Sequence, residues 1–291
     1  MSLEKNSQYL LEKKRKEMDF LHHFHFLGYD LLDLSLLERF EWDRLSEDDL
    51  KMMKSRHIWQ VGDSLLSLRS DWTDAIVRYR KKYKLQTDKI AYSGPVFPMD
   101  QEKMQFGMEI FTDDISRQLS TMEDLLQYIK ENLALSLDVA VISHYSLLKK
   151  LLSKSERQNS EIMQYLGERN LDGLTKRLGD SHPVVRLMSQ PVPDQLDYAK
   201  EYFPDLRKPV EEIQRWQDQL IENNIRVVYC DLFSIPPQSY YKGIFLQFYA
   251  DYSVEPVLTG GQYSSPTRAF GMAINLSSLF LKTNVQRGKS S

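Results

Sequence analysis

The sequence predicts an α+β fold: an antiparallel sheet flanked by helices, with a helical insertion between two sheet-forming stretches. Three observations lead there. Residues 240–279 set Tyr241, Ile244, Leu246 and Phe248 at strand spacing and carry a glycine pair further on. Residues 58–111 hold further short strand-like runs between helical ones. Residues 153–208 are polar, helical in pattern and punctuated by Pro183, Pro191, Pro193 and Pro204, with no strand signal. The implied organisation is residues 1–152 plus 209–291 as one core and 153–208 as the insertion.

In chain order, Gln8 to Phe26 reads as an amphipathic helix. Tyr9, Leu10, Met18, Leu21, Phe24 and Leu27 fall near one face, and the basic run KKRK lies on the other. His22, His23 and His25 read as surface or interface histidines, because no further cysteine or carboxylate stands at a zinc offset; no metal is expected. Gly28 stops the helix. Tyr29 to Leu37 reads as a strand leading into a short helix. Ser46-Glu47-Asp48-Asp49 has the pattern of a helix start. Ile58 to Leu68 reads as a hairpin turning at Gly62-Asp63, and Arg69 to Lys82 as a helix capped by Asp71.

Lys89 to Val96 and Gln105 to Phe111 are strands. In the second, Gln105, Gly107 and Glu109 fall on one side, an amide and a carboxylate with no side chain between them. That is either a surface for a polar ligand or an edge facing water. Asp114 to Leu135 is a long amphipathic helix. Val139 to Ile142 is a buried strand, followed by a helix through Leu152. After the insertion, Val210 to Asn223 is helical and Arg226 to Leu232 returns to the sheet. Asp251 to Pro256 makes a turn. Val257 and Leu258 open a short strand that ends at Gly260-Gly261, where the backbone can bend or a ligand can approach closely. Ala269 to Leu279 is an apolar run, either a buried strand passing into a helix or a buried helix.

Composition narrows the function classes. The chain is 42% hydrophobic and 27% charged, ordinary for a globular protein, and long enough for one large domain or two small ones. A net charge of −3 excludes a globally basic nucleic-acid-binding field. The lone Cys230 excludes an internal disulfide and a cysteine-rich zinc site. No apolar run approaches the roughly 20 residues of a membrane span, and the charged N-terminus lacks a signal segment, so the expected compartment is the cytoplasm.

Five segments carry a family resemblance. YYKGIF (240–245) followed by GGQY (260–263) resembles the two histidine-binding signatures of histidyl-tRNA synthetases, YYTG and GGRYDGL. AFGMAINLSSL (269–279) is similar to their motif 3, GFAxGLERL. GDSLLSLRSDWT (62–73) is similar to LTLRPEGT. KIAYSGPVF (89–97) followed by MQFGMEIF (104–111) is similar to motif 2, YIGPxFR and then QLGVEVFG. Order and spacing agree from Gln8 to Leu279. The resemblance implies a class II aminoacyl-tRNA synthetase-like antiparallel sheet. It also implies a histidine site in which Glu109 faces the imidazole and Gln105 lies beside it. Asp71 and Thr73 would hold the α-amino group, and Tyr241, Tyr263 and the backbone of Gly260 and Gly261 would line the pocket. The competing reading is a pocket filled by Trp72, Phe106 or Tyr240.

The departures are as informative. The motif 2 arginine position is Pro98, the motif 3 arginine position is Ser278, and the second histidine-specific arginine falls at about Pro236; the motif 1 proline falls at Ser35. A guanidinium binds phosphate and carboxylate through paired charge-assisted bonds, and adenylate formation needs that charge neutralised and aligned. Aminoacylation is therefore not expected. The chain stops just after motif 3, so no C-terminal anticodon-binding domain is expected. This pattern is similar to the regulatory subunits of ATP phosphoribosyltransferase, a synthetase-like family without aminoacylation activity. The resemblance implies a non-catalytic chain that activates a short catalytic subunit in the first step of histidine biosynthesis and mediates feedback inhibition by histidine. It implies L-histidine as effector, no cofactor, no tRNA, no membrane, and a homodimer through residues near Gln8 to Leu37 within a hetero-oligomer. The alternative is a synthetase-like module that binds RNA or protein through basic runs such as KKRK and YRKKYK.

Overall fold

A computed structural model describes residues 3–41, 53, 56–98, 101–235, 240–250, 253–265 and 267–276. The helix start expected at 46–49 lies outside the described residues, as do Pro236 and Ser278. The elements in chain order are helix α1 (Leu3–Phe26), strands β1 (Asp30–Leu31), β2 (Leu37–Glu41), β3 (Ile58–Val61) and β4 (Ser64–Leu68), helix α2 (Trp72–Tyr83), strands β5 (Lys89–Val96) and β6 (Lys103–Ile110), helix α3 (Ile115–Asn132) and strand β7 (Val139–His144). Seven helices follow: α4 (Tyr145–Leu151), α5 (Lys154–Gln158), α6 (Ser160–Gly167), α7 (Leu171–Leu178), α8 (Pro183–Met188), α9 (Gln195–Tyr202) and α10 (Arg207–Glu222). Strands β8 (Val227–Cys230), β9 (Tyr241–Tyr249), β10 (Leu258–Ser265) and β11 (Thr267–Asn275) complete the described chain. It divides into two compact units, residues 1–114 with 265–291, and residues 115–264.

In the first unit strands run in the order β1-β5-β6-β11, with β1 parallel to β5 and the others antiparallel. The pairing creates three rows on one face. Ile90, Glu109 and Gly271 stand side by side, then Tyr92, Gly107 and Ala273, then Gly94, Gln105 and Asn275. Met104, Phe106, Met108, Met272 and Ile274 alternate to the other face and are buried. There Phe106 stacks on Phe20 of α1, ring centroids 5.1 Å apart, and Phe24 meets Tyr29 edge-on. A three-stranded antiparallel sheet, β2-β4-β3, belongs to the same unit. Its β3–β4 hairpin turns at Gly62, whose φ of 57° suits glycine.

The short helix expected in Tyr29 to Leu37 does not form. Leu32 donates its backbone N–H to Ala91 O, and Arg69 donates to Leu36 O, so neighbouring segments satisfy this stretch while it stays extended. The expected cap on α2 does form. Asp71 is extended, and its Oδ1 accepts from Asp74 N at 2.8 Å.

The second unit carries strands in the order β10-β9-β7-β8, with β7 parallel to β8. The amphipathic helices α3 and α10 belong here. Leu119, Met122, Leu125 and Ile129 of α3, and Val210, Ile213, Trp216 and Leu220 of α10, are buried. Residues 153–208 lie wholly in this unit and form helices α5 to α9 with two short 3-10 turns and no strand. The strand expected to end at Gly260-Gly261 continues instead to Ser265. Both glycines pair across to β9, Gly260 with Leu246 and Gly261 with Phe245, and the irregularity comes one residue later, between Gly261 and Tyr263. A side chain on Gly261 would overlap the Ile244 carbonyl, so this glycine permits close strand approach rather than a turn. The apolar run after Ala269 is strand β11 through Asn275.

Candidate functional site

Of the expected site residues, Asp71, Thr73, Gln105 and Glu109 belong to the first unit, and Tyr241, Tyr263, Gly260 and Gly261 to the second.

Strand alternation puts Glu109 on the mixed face of β6, and it is fully buried. Oε1 accepts from Thr73 Oγ1 at 2.7 Å and from the Tyr92 hydroxyl at 3.4 Å. A buried carboxylate needs such donors, since an unpaired one is strongly disfavoured. The room for it comes from β11. A methyl group on Gly271 would overlap the Glu109 carboxylate, so the two residues are complementary across the strand pair. Gly107 is small for a similar reason, because the Tyr92 phenol lies over it. Tyr92 stacks on Trp72 at 4.6 Å, and Trp72 donates its indole N–H to Gly94 O at 3.3 Å. Trp72 thus covers the Gly94 side of this face. Phe106 points to the opposite face and fills nothing here. Gln105, Ala273 and Asn275 are half-buried, so the face is closed at its Glu109 end and open at its Gln105 end.

Thr73 reaches Glu109 because helix α2 is held at two points. Asp71 caps its N-terminus. On its outer side a charge cluster, which sequence reading missed, ties it to β2: Arg56 bonds Glu38 at 2.8 Å and also Asp74, while Arg78 bonds both Glu38 and Asp74. Burial raises the Glu38 pKa, opposed by Arg78 and Arg56. The i,i+4 spacing of Asp74 and Arg78 was a visible signal, but Glu38 and Arg56 come from distant segments. Arg69, just before the helix, is buried and stacks 3.4 Å over the Trp72 ring. It donates to Leu34 O and Pro95 O, both at 2.9 Å, and burial lowers its pKa to about 10. Its donors are engaged by the chain's own carbonyls.

In the second unit Tyr241 and Tyr263 stand directly opposite each other on β9 and β10, and both are buried. Tyr240 packs on both rings, at 4.7 and 6.0 Å. Between the glycines and Tyr263 sits Gln262, where the synthetase signature has arginine. Its Oε1 accepts from Ile244 N at 2.9 Å, and its Nε2 donates to Gln118 Oε1 and Glu212 Oε1, each at 2.8 Å. Glu212 also meets His144 Nε2 at 3.2 Å, and the other ring nitrogen accepts from Ser146 N. This buried network was not foreseen. A cleft of about 390 Å³ at the C-terminal ends of α3 and α10, lined by Ile129, Leu137, Asn223 and Ile225 among others, includes none of the expected residues.

The family model for histidyl-tRNA synthetase matches residues 9–277. An ATP phosphoribosyltransferase regulatory subunit from Staphylococcus aureus (strain MRSA252) is 32% identical over 271 residues, covering 93% of this chain and 99% of that protein. Its counterpart from strain Newman is 31% identical over the same length. Among solved structures, an ATP phosphoribosyltransferase regulatory subunit/histidyl-tRNA synthetase from Bacillus halodurans aligns with a TM-score of 0.72 at 18% identity, over 94% of this chain and 79% of that one. The ATP phosphoribosyl transferase (HisG:HisZ) complex from Thermotoga maritima contains a chain that aligns with a TM-score of 0.65 at 18% identity, over 90% of this chain and 96% of that one. At such identities the structural likeness establishes the fold, which is that of the class II synthetases.

Proposed function

The chain belongs to the family of ATP phosphoribosyltransferase regulatory subunits, and from that premise we propose that it activates a short catalytic subunit and carries its feedback site for histidine. It has no catalytic role of its own. The observation that supports the effector reading is the buried Glu109, bonded by Thr73 and seated over Gly271 on a face that opens at Gln105. A carboxylate there suits an imidazole N–H. Asp71, Thr73 and Gln105 are the first unit's remaining proposed contacts. Pro98, at the motif 2 arginine position, offers a triphosphate no cation, which favours an amino acid over a nucleotide.

Histidine binding would be coupled to the catalytic partner. The coupling is reciprocal, so substrate binding on the partner changes histidine affinity by the same factor. The test is calorimetry with L-histidine on the purified chain and on its complex with a short-form catalytic subunit. The expected result is a heat of binding that Glu109→Ala abolishes. No heat in either sample, with inhibition by histidine indifferent to Glu109→Ala, would remove the effector site while leaving subunit activation to be judged by activity of the mixed complex.

A homodimer through the N-terminal segment is part of the same reading. Phe20 and Phe24 are core residues, but Leu10, Leu11, Met18 and Phe26 of α1 are exposed, Phe26 by 89%, as are Leu31, Leu36 and Leu37. Exposed large apolar side chains in this segment suit a second copy related by two-fold symmetry. Light scattering of wild type against Phe26→Glu with Leu11→Glu tests it; an unchanged mass for the double variant would refute it.

A further inference from the structure

We propose that Lys149, Arg157 and Lys242, gathered about Tyr145 in the second unit, form a binding site for a compact, multiply charged phosphate anion. Tyr145 opens α4 and Lys149 stands one turn later, so the two share a helix face. The Lys149 ammonium lies 4.5 Å from the centroid of the Tyr145 ring. A second ammonium, that of Lys242 on β9, lies 5.7 Å from the same centroid. Arg157 comes from α5, the next helix, which Ser153 caps. All four residues belong to the second unit. Tyr241 is buried and Lys242, the next residue on β9, is exposed. Strand alternation therefore sets the cluster on the other side of β9 from that proposed histidine contact.

Charge distinguishes this cluster from an ordinary surface contact. One lysine over an aromatic ring is common. Two lysines at one ring repel each other. Among the described residues, every charged group that acts on Lys149 is a cation: burial lowers its pKa first, then Lys242, then Arg157. Other cations of this chain meet carboxylates, as Lys14 meets Glu17 and Arg177 meets Glu161. Neither Lys149 nor Arg157 has an ion pair or a side-chain hydrogen bond among the described residues, and the Arg157 Nε–H is shielded from solvent and unbonded. The acid beside Arg157 in sequence, Glu156, is engaged elsewhere. One of its oxygens accepts from Ser153 N at 2.7 Å and the other meets His182 at 3.4 Å. In a chain of net charge −3 the result is a local positive field. An anion among these cations cancels their repulsion, and a multiply charged one does so for all of them at once. Arginine offers phosphate paired N–H donors, and lysine offers a point charge. Lys242 enters as a neighbouring charge. Two ammonium groups at one ring have an extent that suits a compact anion rather than a polymer.

The experiment is calorimetry on the full chain with inorganic pyrophosphate at low, fixed ionic strength, since salt screens such contacts. The parent is expected to bind. Lys149→Gln and Arg157→Gln are each expected to weaken binding about fivefold, the upper end for a solvent-exposed ion pair. Lys149→Arg keeps the charge and should restore most of the affinity. Lys81→Gln removes the same charge from an exposed position on α2, in the first unit, and should leave binding unchanged. Uridine diphosphate in place of pyrophosphate distinguishes a free anion from one carried on a nucleoside. Equal or weaker affinity assigns the first, tighter binding the second, and both support the site. Unfolding midpoints matching the parent establish that each variant is folded. No heat with millimolar pyrophosphate overturns the proposal, as do losses in the two glutamine variants no larger than in Lys81→Gln. Equal losses in Lys149→Arg and Lys149→Gln would mean that charge is not what binds, and overturn it too. If a single-stranded oligonucleotide binds through Lys149 and Arg157 while pyrophosphate does not, the compact-anion assignment falls. Histidine titrations of the same variants should match the parent, so this proposal and the effector reading stand or fall separately.

Discussion

Replacing Gly271 with alanine puts one methyl group into space that the Glu109 carboxylate occupies. The new carbon would overlap Oε2 and Cδ and lie 2.7 Å from Oε1. Glu109 is fully buried, so its carboxylate has no open solvent to swing into. It must leave the position in which it accepts from Thr73 Oγ1 at 2.7 Å. An off-rotamer side chain costs about 0.5–1.5 kcal/mol, and a lost hydrogen bond to a charged group about 1.5–3 kcal/mol. Gly271→Ala should therefore destabilise the first unit by about 2–4 kcal/mol, read by urea unfolding. In a Glu109→Ala background the same substitution fills vacated space and should be nearly neutral. The coupling between the two changes should then be about 2–4 kcal/mol. A Gly271→Ala protein within about 0.5 kcal/mol of the parent, or strictly additive changes, would refute the complementarity of the two residues.

Other substitutions separate structural from binding roles. Asp71→Asn keeps an acceptor for Asp74 N and should leave stability near the parent while lowering histidine affinity; Asp71→Ala should in addition cost about 1 kcal/mol as a lost helix cap. Calorimetry beside urea unfolding reads both, and equal affinities for Asn and wild type would confine Asp71 to capping. Gln262→Ala removes the partner of Ile244 N, Gln118 and Glu212 at once, and should destabilise the second unit by about 1–3 kcal/mol, with little change in histidine binding. Burial pushes the Cys230 thiol up to about 12. Thiol reagents at pH 8 should label the native chain far more slowly than the unfolded one. Because the folded value is raised, this group contributes stability that is full below the unfolded thiol's pKa and is lost as pH rises through about 12. A Cys230→Ser variant should lack that part of the alkaline decline in the unfolding midpoint.

The pattern of agreement follows the range of the forces involved. The β3–β4 hairpin, the Asp71 cap and the alternation of Gln105, Gly107 and Glu109 each depend on residues a few positions apart, and each was legible. The stretch after Tyr29 was misread because Leu-rich sequence is compatible with helix, and only its partners, Ala91 and Arg69, hold it extended. Gly260 and Gly261 looked like a strand end because glycine pairs often mark one; here close contact with Ile244 on the neighbouring strand explains Gly261. At the candidate site, the motifs pointed to Glu109 and Gln105 and carried a glycine at 271, but said nothing of its contact with Glu109 or of the Gln262 network.

The sequence by itself determined the α+β class, the order and most boundaries of the elements, the family, and the residues, Pro98 and Ser278, that stand at the motif arginine positions. Those follow from periodicity, capping chemistry and residue identity, all of which a linear string carries. Only the tertiary structure decided that the Glu109 carboxylate is sealed from water, that Gly271 makes room for it, and that Gln105 and Asn275 stand opposite each other on the same face. Each of these depends on which strand pairs with which, and in what register. That register is set by the burial of whole faces rather than by any local signal.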